Sequence, residues 1–231
     1  ANINDPHRDG RTPLLQALYY GHHKCVELLL DRHADINAVD RSGKATLHAA
    51  SSNGHHQCIE LLLDRHANVN AVDRDARTPL HYASANGHHQ CIELLLDRHA
   101  DINAVDQDAR TPLHYASLKD NHQCIELLLD RHANINAVDR NGNTPLHEAL
   151  YYGRHQCIEL LLDRHANINV VDEDGNTPLH IASSNGHHQC MELLLDRHAN
   201  INAVDLYGCT PLHLASSKGN HQCIELLLDR H

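Results

Sequence analysis

A block of 33 residues is written seven times in succession, and the 231 residues divide into seven such units with none left over. The tract Gln57-Cys58-Ile59-Glu60-Leu61-Leu62-Leu63-Asp64-Arg65-His66 returns nearly unchanged, ending at His99, His132, His165, His198 and His231. A fixed period of this length specifies a stacked array in which each unit touches only its neighbours. The units are 1–33, 34–66, 67–99, 100–132, 133–165, 166–198 and 199–231, and they are expected to form one array. Columns that never change report the scaffold. Columns that change report what it carries.

The third unit shows how one block folds. Thr78-Pro79-Leu80-His81 opens a helix, because Thr is a good N-cap and Pro at the first helical position loses no hydrogen bond. Asn86-Gly87 closes it, since Gly accepts the left-handed conformation that ends helices. His88-His89-Gln90 then leads into a second helix, whose apolar Cys91, Ile92, Leu94, Leu95 and Leu96 nearly encircle it, as suits packing on both sides. The polar stretch 100–109 carries a Gln107-Asp108 turn signal and is predicted to be the hairpin to the next unit. Neither helix reaches the roughly 12–15 residues at which isolated helices become even marginal in water, so stacking must supply the stability.

Thr-Pro-Leu-His followed by Ala, a Gly-His pair, Glu-Leu-Leu-Leu and Ala-Asn-Ile-Asn-Ala at this period resembles the ankyrin repeat family along the whole chain. The resemblance implies an all-α, curved solenoid of helix-turn-helix units with short β-hairpin loops. Its concave face would be formed by the hairpins and the first helices. It also implies that the motif histidines His48, His81, His114, His147, His180 and His213 tie adjacent hairpins by hydrogen bonds. Several positions depart from the pattern. Leu15 stands where the motif has His, and Ala45-Thr46 replaces Thr-Pro, losing an N-cap worth on the order of 1 kcal/mol. Ala76 and Ala109 replace the hairpin Gly, and Asp120-Asn121 replaces Gly-His. His occupies the family's Gly position after every second helix, from His33 to His231. A left-handed side chain there costs roughly 1 kcal/mol.

Chemistry of other kinds finds little support. The formal net charge of −11 argues against a general nucleic-acid binder. No apolar run reaches the roughly 18 residues of a membrane span, and no signal peptide is evident. Cys25, Cys58, Cys91, Cys124, Cys157, Cys190 and Cys223 recur at one position per unit. Stacked helices lie about 8–10 Å apart, beyond the roughly 7 Å that a disulfide spans. The thiols are therefore expected to be buried and reduced, in a cytoplasmic or nuclear setting. His88 and Cys91 have a metal-like spacing, but the Cys stands at the family's apolar Ile position, so neither metal nor cofactor is expected. Cys209, outside the column, is read as a tolerated surface thiol. A catalytic site needs unlike groups converging once; here candidates repeat in every unit, and no enzyme is expected. Protonating all 25 His would take the charge from −11 to −11 + 25 = +14, so acid should destabilise the array.

Variation gathers at the eighth, ninth, eleventh, sixteenth, nineteenth and twentieth positions of the unit. These supply the candidate partner-binding residues. Tips contribute Arg8, Arg11, Arg41, Lys44, Arg74, Arg77, Arg110, Arg140, Glu173, Leu206 and Tyr207; first helices contribute Tyr19, Tyr20, Tyr82, Tyr115, Leu118, Lys119, Tyr151, Tyr152 and Ile181. All seven Tyr fall in these columns, and the chain has no Phe or Trp. Tyr offers a large contact area at low entropic cost, which drift alone would not favour on a surface. Positive tips early and acidic or apolar tips late fit a protein or peptide partner with an acidic end and an apolar end. Reversing Arg74 and Arg77 to Glu is expected to abolish binding without harming the fold. A spacer without a dedicated partner, or an engineered scaffold, stays open as an alternative. Unit seven ends in Ile224, Leu226, Leu227 and Leu228 with no polar substitution, so the array is expected to continue or to self-associate end to end.

Overall fold

The computed structural model describes residues 2–230. Each unit supplies a first helix of seven or eight residues and a second of nine. In order these are α1 (Pro13–Tyr19) and α2 (His23–Asp31), α3 (Thr46–Ser52) and α4 (His56–Asp64), α5 (Pro79–Asn86) and α6 (His89–Asp97), and α7 (Pro112–Leu118) and α8 (His122–Asp130). They continue as α9 (Pro145–Tyr151) and α10 (His155–Asp163), α11 (Pro178–Asn185) and α12 (His188–Asp196), and α13 (Pro211–Lys218) and α14 (His221–Asp229). The chain forms two compact bodies, residues 1–112 with 130–133 and residues 113–129 with 134–231. Among the described residues the hairpins are tight turns with one isolated antiparallel bridge, Val39 to Ala45. No described helix is long and apolar enough to cross a membrane.

In units three to seven the opening of the first helix follows from the Thr-Pro-Leu-His tract. Thr78 is extended (φ −92°, ψ 166°) and Pro79 begins α5. The Thr78 amide donates to His81 Nδ1 (3.0 Å), and His81 Nε2 lies 3.0 Å from the Arg110 carbonyl of the next unit. An Nδ1 that accepts leaves the ring proton on Nε2, which therefore donates to that carbonyl. The same relay joins units in the second body: His114 reaches the Asn143 carbonyl at 3.0 Å and His180 the Cys209 carbonyl at 3.0 Å. One neutral imidazole thus caps its own helix and pins the following hairpin. In the second unit Ala45 has no capping side chain, as its sequence implies, and the Thr46 hydroxyl donates instead to the Ile36 carbonyl (2.7 Å).

The core is a stack of these short helices. In α4, Cys58, Ile59 and Leu62 are at most 1 % exposed, and the same columns are buried in α6, α8, α10 and α12. Removing one such Leu or Ile would cost about 2–5 kcal/mol. All eight cysteines are thiols, and the column is buried with one exception. Cys25 is exposed, which corrects the expectation for that residue. Its equivalent Cys157 faces the preceding unit, where its Sγ donates to Asp120 Oδ1 at 3.0 Å. Cys25 lies in the first of the seven units. At the other end Leu227 is buried while Leu228 is 59 % exposed.

The departures from the repeat pattern have a backbone consequence. His33, His66, His99, His132, His165 and His198 are all left-handed, with φ between 64° and 67°. His231 lies outside the described residues. Ala76, Ala109 and Asp120 also adopt positive φ. Where the pattern keeps Gly21, the reason is partly steric: a Cβ there would sit 2.4 Å from the His55 ring of the next unit. At the equivalent boundary after the fourth unit the pair changes together, to Asp120 and Arg154. The exposed second-helix faces carry Arg–Asp ion pairs between neighbours, Arg65 to Asp31 (2.6 Å) and Arg98 to Asp64 (2.9 Å) in the first body and Arg230 to Asp196 (2.7 Å) in the second. Being exposed, each contributes at most about 1 kcal/mol.

Candidate functional site

From the second unit onward the hairpin tips are built around one acidic residue per unit, and the first unit has His7 in that place. Asp73 Oδ1 accepts from the amides of Asp75 (2.9 Å) and Arg77 (3.0 Å), and its own amide donates to the Arg77 carbonyl (3.1 Å). Asp106, Asp139, Asp172 and Asp205 make the same bonds, and all are buried. This is an Asx turn closed at both ends. Read from sequence, the column is only a source of negative charge; the structure makes it the pin of each tip. The signal that could have found it is the fixed offset of the Asp, two and four residues before the varied positions. Burial pushes Asp40 up, but the donors from Ser42 and Lys44 outweigh it and hold its carboxyl below the ordinary range. The tips also join one another: the Arg74 amide donates to the Ser42 carbonyl (3.2 Å) and the Leu206 amide to the Asp174 carbonyl (2.9 Å).

Pinned in this way, the varied side chains point outward. Arg8, Arg41, Arg74, Arg140, Glu173, Leu206 and Tyr207 are exposed at the tips, and Arg11, Lys44, Arg77 and Arg110 are half-buried beside them. On the first helices Tyr19, Tyr20, Tyr151, Tyr152 and Lys119 are exposed, while Tyr82, Tyr115 and Leu118 are half-buried. Ile181 departs from the set. It is buried at 5 % exposure within α11, so it packs the second body and presents no open surface.

Aromatic and basic residues meet on this face. The Arg11 guanidinium lies 4.3 Å from the Tyr19 ring centre, and the Lys44 ammonium 4.4 Å from that of Tyr82. Tyr19 and Tyr20 pack edge to face with centroids 5.2 Å apart. In the second body Arg154 approaches Tyr152 at 5.8 Å. Such contacts hold long cationic side chains in place without neutralising them. The Tyr82 hydroxyl donates to Asp73 Oδ2 (2.6 Å), and burial together with that bond pushes its pKa up.

The eleventh column divides in two. Arg77 lies 3.5 Å from Asp75 and 3.8 Å from Asp106. A Glu there would face two carboxylates, so reversal at Arg77 would act on the tip as well as on the binding face. Among the described residues Arg11 and Lys44 form no ion pair.

Repeat length and helix-pair architecture agree with the family comparisons. A model for ankyrin repeats in three copies matches residues 32–106, 80–172 and 164–231, and a single ankyrin-repeat model matches residues 9–41. The chain belongs to the ankyrin-repeat family. Among solved structures it is similar to the human ASB11 ankyrin repeat domain, with TM-score 0.87 and 30% identity over 96% of this chain and 98% of that one. It is also similar to the ankyrin repeat domain of Bcl-3, described as a unique member of the IkappaB protein family, with TM-score 0.82 and 29% identity over 96% of this chain and 100% of that one. No curated protein matches the chain. Ankyrin-repeat domains are in general protein–protein interaction scaffolds, and this ankyrin-repeat chain is an all-α repeat of the solenoid type.

Proposed function

We propose that this ankyrin-repeat chain is a non-enzymatic scaffold, its seven units acting as one array that binds a protein or peptide through hairpin tips and first helices, the family's concave face. The observation that carries the reading is the concentration of Tyr in the varied columns, five of the seven exposed, on a backbone whose other columns are nearly constant. Rigid aromatic side chains on short, pinned helices lose little entropy on binding. The residues named above from Arg8 to Tyr207, with Ile181 set aside, form the proposed contact set. Basic tips in the first body suit an acidic segment of the partner. Leu206 and Tyr207 in the second suit an apolar one. The reduced thiols favour a cytoplasmic or nuclear setting.

Charge reversal tests the reading without touching the tip pins. Arg41→Glu with Arg74→Glu changes two exposed side chains and should weaken a saturable partner at least about tenfold, most strongly at low salt. Thermal unfolding should be unchanged within about 0.5 kcal/mol. A chain for which no partner saturates, in either form, would instead be a spacer.

A further inference from the structure

Between the first and second units, on the face of tips and first helices, lies a hollow of about 160 Å³. It exists because Ala49 and Ser52 are small. At the sixteenth position, where Ala49 stands, the third and fourth units carry Tyr82 and Tyr115. The hollow is lined by Tyr19 and Asn53 together with the two cations that form no ion pair, Arg11 and Lys44. Each cation is braced against a ring at 4.3 and 4.4 Å. Asp40 also lines the hollow, but its Oδ1 is committed to the hairpin by the Ser42 amide (2.8 Å), the Ser42 hydroxyl (2.6 Å) and the Lys44 amide (3.0 Å). Two braced cations therefore stand against one engaged carboxylate, while the Asn53 side-chain amide donates to the Ala49 carbonyl (2.8 Å).

We propose that this hollow is an anion subsite that receives one carboxylate side chain, Glu or Asp, of a partner polypeptide. The proposal rests on the binding-face reading and specifies its chemistry at one place. A guanidinium and an ammonium on opposite units can both approach a carboxylate, and guanidinium supports paired hydrogen bonds to its two oxygens. The occupant's main chain would then lie along the exposed Tyr19 and Tyr20. Arg77, the equivalent cation of the third unit, stands in a different setting: it is paired with Asp75 and Asp106, and its unit fills the equivalent space with Tyr82.

The test is an NMR titration of the full chain with the capped peptide acetyl-Ser-Ala-Glu-Ala-Ser-amide and its Gln counterpart. The Glu peptide should shift the amides of Ser42, Lys44 and Asn53 saturably, with a dissociation constant in the millimolar range, and the Gln peptide should bind about tenfold more weakly. Ala49→Tyr fills the hollow with a side chain the repeat already accepts, and should abolish the shifts. Arg11→Gln should weaken binding about fivefold with an unchanged melting curve. Equal affinity for both peptides, unaltered binding by the Ala49→Tyr variant, or no saturation below about 20 mM would overturn the subsite. If a larger partner still binds the chain and loses affinity on Arg41→Glu with Arg74→Glu, the subsite alone has failed. If neither the peptide nor any partner saturates, the binding-face reading fails as well.

Discussion

His81 and Tyr82 are neighbours in α5, yet they belong to two different regions of the molecule. His81 is 1 % exposed and bonds backward to Thr78 and forward to Arg110. Tyr82 is half-buried, bonded to Asp73 and covered by Lys44. The His column is nearly constant, and the Tyr column reads Gln16, Ala49, Tyr82, Tyr115, Glu148, Ile181 and Leu214. A repeat can therefore vary at one position of a helix and stay fixed at the next without losing its fold. The His ties its own helix start to the next unit, and the residue after it can change from unit to unit without breaking that tie.

If the constant region holds the fold, acid should break it before anything else does. His48, His81, His147 and His180 have pKa values lowered from 6.5, chiefly by burial. The neutral ring is what the relay needs. The unfolded chain takes up protons first as the pH falls below about 6.5, so stability is present above that value and is lost below it. Each ring that stays neutral contributes a slope of about 1.4 kcal/mol per pH unit. Melting temperatures from pH 7.5 to 5 should fall steeply; a flat profile would remove the His column from the account. Next in size, His81→Ala should destabilise the chain by about 2–4 kcal/mol in denaturant unfolding, because it strands a buried Thr amide and the Arg110 carbonyl and leaves a cavity. A loss below about 0.5 kcal/mol would show that the relay is incidental.

Two smaller changes sharpen the same contrast. Ala45→Thr should restore the missing N-cap of α3 and stabilise the chain by about 1 kcal/mol. No gain would mean that the Thr46 bond to Ile36 already fixes that helix start. His99→Gly relieves a left-handed side chain (φ 66°) and should raise stability by up to about 1 kcal/mol, read as a small increase in melting temperature. A decrease would reveal a contact made by the imidazole.

Helix pairs, caps and the left-handed His are legible in the sequence because each is a local preference repeated in register. Thr-Pro states an N-cap, Asn-Gly a C-cap, and 33-residue spacing a stack. The burial of Ile181 was not legible, since the same column holds exposed Gln16 and half-buried Tyr82 and Tyr115. Nor was the split between Arg77 and Arg11, because ion pairing at Arg77 depends on Asp106 in the next unit, 29 residues away. The pairing of Asp120 with Cys157 is of the same kind: the substitution was visible, but its partner lies 37 residues on.

On this reading the varied face binds a polypeptide. The most direct test is isothermal titration of one partner, selected from a random peptide library on the intact chain, against the native chain and a variant with Tyr19, Tyr20, Tyr151, Tyr152 and Tyr207 all changed to Ser. These five are exposed, so the fold should survive, and melting curves will verify it. Affinity should fall at least about a hundredfold, the sum of several buried aromatic contacts. An unchanged affinity with an intact fold would place recognition elsewhere and contradict the account.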